Sequence, residues 1–174
     1  MKMDANIEML CNLPHSVLRR RLINEYKQLK IKYNNIVIEF ICNSCETIRI
    51  TIISNSNSNS CNHKFEFIIG KQYPFVQPSL SINGKSYLEY LPMPSRWLHI
   101  YNKMYNNKCL CCSSILYNKN WKPSFTIHNI IDEYNETIVA KKNIIIKMLS
   151  DTIVDKYLCS DINLDQWLFT LLKH

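Results

Sequence analysis

The sequence predicts an α+β fold in which helices at both ends of the chain flank a central run of strands. Stretches 35–41, 47–53 and 64–69 are rich in β-branched and aromatic residues, and the last two alternate polar and apolar positions. The links between them are short, and short links join antiparallel neighbours because parallel pairs need a long crossover. Helices and strands that are segregated along the chain indicate an antiparallel sheet with helices packed on one face.

The N-terminal helix is predicted over 18–32, where apolar residues recur at helical spacing and form one stripe. The stripe consists of Leu18, Leu22, Tyr26 and Leu29. Ser16 is the candidate N-cap of this helix. Residues 1–14 remain as a candidate flexible segment before it.

A fourth strand is predicted within 80–88, with a break at Asn83-Gly84, and it completes a four-stranded antiparallel meander. Residues 89–107 lack a regular pattern, so we expect a long loop, and a loop of this length in a compact domain usually has a function. C-terminal helices are predicted over 125–148 and after Asp161 or Asn163. Together these elements predict a single domain over residues 1–174.

The composition is that of an ordinary globular protein. The net charge of +7 is scattered along 174 residues and is not clustered with aromatic residues, so we expect no nucleic-acid surface. No apolar run approaches the ~20 residues of a membrane span, and residues 1–8 lack the apolar core of a secretory signal. We therefore expect a cytoplasmic or nuclear protein whose eight cysteines stay reduced.

Three short motifs follow one another in the middle of the chain. The first is Tyr73-Pro74-Phe75 with Pro78, directly after the third strand. The second is Leu-Cys-Cys-Ser-Ser-Ile-Leu at 110–116, and the third is Trp-Lys-Pro-Ser at 121–124, which leads into a helix. In this order they resemble the ubiquitin-conjugating (E2) family, whose pattern is Tyr-Pro-Phe-x-x-Pro, then Ile-Cys-Leu-x-Ile-Leu, then Trp-Ser-Pro. The first helix and the sheet resemble that family by element order only.

The resemblance implies an enzyme that carries ubiquitin, or a ubiquitin-like protein, as a thioester on one cysteine. Such an enzyme receives its modifier from an activating enzyme and passes it to a lysine or to a ligase. Cysteine suits this role because a thiolate is a strong nucleophile. No cofactor is expected in the chain itself, since the activating enzyme consumes the ATP.

Two ways of aligning the second motif lead to different nucleophiles. Counting back from Leu116, as in Cys-Leu-x-Ile-Leu, assigns the role to Cys112. Counting forward from Tyr105 assigns it to Cys111, and Cys109 is a third and weaker choice. We favour Cys112 and keep Cys111 as the alternative.

The amide that stabilises the oxyanion in this family comes from a His-Pro-Asn motif before the cysteine. Here that register contains Asn102-Lys103-Met104, so the motif is missing. Asn102, Asn106 and Asn107, or His99, are the candidate donors. The missing motif also supports an alternative function, in which the chain is an inactive module of the same fold that binds ubiquitin or other proteins.

Partner surfaces follow from the resemblance at matched positions. Phe75, Pro123 and Ser124 correspond to ligase-contacting residues of the family. Arg20 and Lys27 lie seven residues apart on one face of the first helix and resemble its activating-enzyme contact.

The cysteines also raise the question of a zinc site. Cys42-x-x-Cys45 and Cys61-x-His63 supply suitable ligand types. They lie at opposite ends of the strand predicted over 47–53, roughly 20 Å apart at about 3.3 Å per residue, so we expect no shared ion. A second set, formed by His99 with Cys109, Cys111 and Cys112, is the weaker alternative to a catalytic thiol.

Overall fold

A computed structural model describes residues 4–33, 35–40, 47–54, 63–92, 95–105, 110–117 and 119–157. The chain groups into two compact units. The first comprises Met1–Pro92 with Cys109–Tyr134, and the second comprises Met93–Lys108 with Asn135–His174. The sheet belongs to the first unit, as do Cys111 and Cys112.

The described elements are segregated along the chain, with two helices before the run of strands and the other helices after it, which confirms the predicted α+β class. The helices are α1 (Ala5–Cys11), α2 (Ser16–Lys32), α3 (Tyr87–Tyr90), α4 (Ser95–Tyr105), α5 (Leu110–Ser113) and α6 (Ile127–Tyr157). The strands are β1 (Asn35–Phe40), β2 (Thr47–Ser54), β3 (His63–Gly70), β4 (Ser79–Ile82) and β5 (Lys85–Ser86). None of the described helices has the length and apolar character needed to cross a membrane.

The strands form an antiparallel meander in the order β1-β2-β3-β4-β5. The prediction of four strands was one too few, because the turn at Asn83-Gly84 reverses the chain and allows two further residues to pair with β4. Both turn residues have positive φ, 50° at Asn83 and 79° at Gly84, a conformation that these residue types tolerate best. The predicted break of the fourth strand is therefore confirmed.

One face of the sheet is buried and the other is solvated. Ile38, Ile50, Phe67 and Leu80 lie in register across four strands, and all four are buried. On the opposite face Glu39 pairs with Arg49 and Lys64 pairs with Glu66. This alternation is what an antiparallel sheet with a single covered face requires.

Helix α2 and the first part of α6 also contribute buried apolar residues to the core. Every member of the predicted α2 stripe is buried, which confirms that prediction. On α6, Tyr134 packs edge-on against Phe65 of β3, with ring centroids 5.3 Å apart. The predicted N-cap was wrong: Ser16 is the first helical residue and His15 occupies the cap position without a side-chain hydrogen bond.

The short helix α1 lies within residues 1–14, the segment that is a candidate flexible segment by sequence. Asp4 caps α1 by accepting a hydrogen bond from the Asn6 amide, and Leu10 and Leu13 are buried. The Asn6 side chain donates to the Ile36 carbonyl on β1, at 3.1 Å. These contacts connect α1 to the sheet.

The expectation of a loop over 89–107 was wrong for residues 95–105, which form α4. Trp97, Tyr101 and Tyr105 recur every four residues, and the rings of Tyr101 and Tyr105 stack with centroids 5.0 Å apart. The prolines at 92 and 94 precede the helix, where proline does not interrupt helical hydrogen bonds. Helix α6 extends past the predicted end at 148, and the helix predicted after Asp161 or Asn163 lies outside the described residues.

Candidate active site

The candidate nucleophile Cys112 lies on α5, a single helical turn with no buried residue. Its side chain is exposed, whereas Cys111 is half-buried. The two sulfurs are 3.8 Å apart. The favoured thiol is therefore open to solvent, with a second thiol in contact with it.

The segment after α5 is fixed by one carboxylate. Glu133 on α6 accepts hydrogen bonds from the Ser114 hydroxyl at 2.6 Å and from the Ile115 amide at 2.7 Å. The Tyr87 hydroxyl donates to the same carboxylate at 2.7 Å. Leu116 is buried just beyond these contacts. The backbone that follows the cysteines is thus attached to both α3 and α6.

The side chain of Asn120 binds the backbone at Cys112 directly, and the loop between them is residues 114–119. The Asn120 side-chain nitrogen donates to the Cys112 carbonyl at 2.7 Å and to the Ser114 carbonyl at 3.0 Å. A side-chain amide has only two N–H hydrogens, so both are used in these contacts. Asn120 therefore positions the loop in this arrangement and has no hydrogen left for an oxyanion.

The sequence pattern did not single out Asn120. The family resemblance predicts an amide donor before the cysteine in the chain, whereas Asn120 comes after it. The available signal was the stretch between Leu116 and Trp121, which is one residue longer than the family pattern.

Substitution of Asn120 should loosen this loop. Asn120→Ala removes two hydrogen bonds and should lower the free energy of unfolding by about 1–2 kcal/mol. Asn120→Asp should cost more, because a carboxylate would face two carbonyl oxygens. Urea unfolding gives both values, with the exposed neighbour Lys119→Ala as the control. Equal stability of the Asp and Ala variants would contradict the positioning role.

A second carboxylate joins the first motif to the start of α6, a few residues after the third motif. Glu25 on α2 is only 3% exposed, and it accepts from the Tyr73 hydroxyl at 2.6 Å and from the Ile127 amide at 2.9 Å. Arg21 forms an ion pair with Glu25 and donates to the Phe125 carbonyl at 2.6 Å. Burial would lower the pKa of Arg21, but the adjacent Glu25 carboxylate and Tyr73 raise it overall, so the guanidinium stays charged.

The Tyr73 hydroxyl stays protonated in this network. Burial is the largest cause that raises its pKa, and the negative charge of Glu25 raises it further. A protonated hydroxyl donates to the carboxylate, which is the direction of the observed hydrogen bond. Tyr73 therefore acts as a permanent donor that connects the first motif to α2.

The tryptophan of the third motif contacts the first motif directly. The Trp121 indole nitrogen donates to the Pro74 carbonyl at 2.8 Å, and the Trp121 and Tyr73 rings lie 6.1 Å apart. The Tyr73–Pro74 peptide bond is cis. Phe75 is 69% exposed beside this contact. Pro123 and Ser124 are also exposed.

Four of the six basic residues of α2 fall into two groups. Arg20 and Lys27 are exposed, as a protein-binding role would require. Arg19 donates to the Cys11 carbonyl at 3.3 Å, and Lys30 forms an ion pair with Asp4. These last two residues hold the α1 segment against α2.

Of the three predicted amide donors, the structure describes only Asn102. Asn102 is half-buried on α4, in the second unit. Asn106, Asn107 and Cys109 lie outside the described residues, as do Cys42, Cys45 and Cys61 of the zinc alternative. Within the part of the chain that the structure describes, no three histidine, cysteine or acidic side chains group together as metal ligands.

Comparison with known proteins gives no match among family models, curated proteins or solved structures.

Proposed function

We propose that this protein has the ubiquitin-conjugating fold and carries ubiquitin, or a ubiquitin-like protein, as a thioester on Cys112. The single observation that supports this most is the exposed Cys112 thiol on a segment whose backbone is held by Asn120 and Glu133. An exposed nucleophile on a fixed backbone suits exchange between two large proteins, because both must reach the sulfur while its position is kept.

The chemistry assigns one role to each group. The Cys112 thiolate attacks the modifier's C-terminal carbonyl carbon, a C–S bond forms, and the activating enzyme's cysteine leaves as a thiolate. In the second step a substrate amine attacks the same carbon and Cys112 leaves. Asn120 and Glu133 do not touch the reacting atoms; they position the Cys112 segment.

The contacts among the three motifs also support the proposal. Trp121 donates a hydrogen bond to the Pro74 carbonyl. Asn120, which precedes Trp121 in the chain, donates one to the Cys112 carbonyl. A resemblance that rests on three separate stretches of sequence therefore corresponds to one connected group of segments. A small groove of about 140 Å³ lies in the same unit, lined in part by Pro78, Tyr87 and Leu116. It is a candidate place for part of the modifier.

The partner surfaces of the proposed enzyme lie on exposed residues of the first unit. Phe75, Pro123 and Ser124 form the proposed ligase contact, and an exposed aromatic side chain beside polar loops is a typical interface anchor. Arg20 and Lys27 form the proposed contact with the activating enzyme, where they would mainly raise the association rate. A reducing compartment, the cytoplasm or the nucleus, is the expected location because the nucleophile must remain a thiol.

One observation favours a second candidate function. Both hydrogens of the amide next to Cys112 are already used within the loop, so Asn120 offers no oxyanion donor. An inactive module that binds ubiquitin or partner proteins through the same surfaces is the alternative.

A charging assay separates the two functions. The protein is incubated with an activating enzyme, ATP and ubiquitin, and in parallel with a panel of ubiquitin-like proteins and their activating enzymes. The proposal predicts a higher band on a non-reducing gel that disappears with thiol, and Cys11→Ala should leave it unchanged because that exposed cysteine lies on α1. The binding module predicts no band with any modifier but a measurable complex with one of them.

A further inference from the structure

The contact between the Cys111 and Cys112 thiols permits a second kind of reaction, besides nucleophilic attack by one of them. Adjacent residues bring their sulfurs to 3.8 Å, and a disulfide bond is about 2.05 Å long. A modest movement of the two side chains and their backbone would therefore close the bond. From this contact we propose that the two residues form a redox-sensitive dithiol, which small-molecule disulfides such as oxidised glutathione convert to an intramolecular disulfide.

The differing exposure of the two thiols sets the order of the steps. Cys112 is exposed, so its thiolate attacks glutathione disulfide first, which forms a mixed disulfide and releases one glutathione thiolate. Half-buried Cys111 then attacks the Cys112 sulfur, the S–S bond between them forms, and the second glutathione leaves. The two protein thiols are oxidised, glutathione disulfide is reduced to two thiols, and the two protons of the cysteines are released to them.

Local structure favours a reversible reaction. Neighbouring α-carbons across a trans peptide are about 3.8 Å apart, shorter than the usual range of about 4.4–6.8 Å for a disulfide. The bond is therefore strained and easily reduced, which is typical of regulatory disulfides. Helix α5 has a single turn and no buried residue, so the rearrangement is confined to this turn and to the hydrogen bond between Asn120 and the Cys112 carbonyl.

If Cys112 carries the modifier, closure of the disulfide blocks charging. This consequence rests on the proposed function, whereas the dithiol chemistry does not. Oxidation would then turn conjugation off without damage to the rest of the fold, because Asn120 and Glu133 hold the segment that follows α5.

The test uses the full chain with Cys109→Ser, so that the tryptic peptide 109–119 contains only the two paired thiols. After incubation with oxidised glutathione and alkylation, that peptide should be lighter by two hydrogens, carry no alkyl group and return to the dithiol with dithiothreitol. In addition, Cys111→Ser should cause a stable glutathione adduct to accumulate on Cys112. Exposed Cys11 is the internal control, because it should keep its adduct.

Several results would overturn the inference. They are a stable adduct on Cys112 while Cys111 is present, a cross-link from either residue to another cysteine, or no reaction at the pair under conditions that modify Cys11. The same masses measured on the chain without Cys109→Ser, localised by fragmentation, keep the test valid if that variant does not fold. A chain that never charges but forms the disulfide would sink the proposed function and leave the dithiol in place.

Discussion

Glu25→Ala should destabilise the protein by about 3–5 kcal/mol, because removal of one partner from a buried ion pair leaves the other without compensation. The substitution leaves the Arg21 guanidinium, the Tyr73 hydroxyl and the Ile127 amide without their shared acceptor. The loss is a large part of the roughly 5–15 kcal/mol by which such domains are stable. Urea unfolding followed by circular dichroism measures it.

Two variants control for this prediction. Gln28→Ala on the exposed side of the same helix should change the free energy of unfolding by less than about 0.5 kcal/mol. Tyr73→Phe removes only one donor and should cost about 1.5–3 kcal/mol, so it remains measurable if the Glu25 variant is unfolded. A Glu25→Ala protein as stable as Gln28→Ala would disprove the central role of this carboxylate.

Glu133→Ala should release the segment that follows the cysteines. It removes the acceptor for the Ser114 hydroxyl, the Ile115 amide and the Tyr87 hydroxyl, at a cost of about 2–4 kcal/mol because these bonds are made to a charged group. Hydrogen exchange at the Ile115 amide should accelerate more than exchange in the middle of β2 and β3. Glu136→Ala on the exposed side of α6 is the matched control. If exchange rises equally everywhere, the carboxylate stabilises the fold in general and does not hold this segment.

Much of the fold could be predicted because it depends on local pattern. The α2 stripe and the alternation along β2 and β3 are visible in short windows of sequence. In the structure, the stripe and the apolar positions of one sheet face are buried. Helix α4 was missed because prolines and many polar residues surround it, which concealed the four-residue spacing of Trp97, Tyr101 and Tyr105. Helix α1 depends on contacts with β1 and α2 that no local window contains.

The site could be predicted only in part, because local motifs are visible in the sequence and long-range contacts are not. The motifs located the segments with Tyr73, Cys112 and Trp121, but not Glu25 and Glu133, the carboxylates that bind the first and the second motif. Glu25 bonds to an amide 102 positions away, and on sequence alone it looks like any charged residue of an amphipathic helix. Glu133 is equally ordinary in pattern. Long-range polar contacts of this kind leave no trace in hydrophobic periodicity.

The central claim is that Cys112 carries the modifier, and the most direct measurement is the intact mass of the charged protein in cysteine variants. With the modifier that charges the unmodified chain, Cys111→Ala should still gain the full mass of one modifier, removable by thiol, whereas Cys112→Ala should gain none. Circular dichroism must show that both variants are folded. A charged Cys112→Ala protein beside an uncharged Cys111→Ala protein would contradict the assignment and make Cys111 the nucleophile.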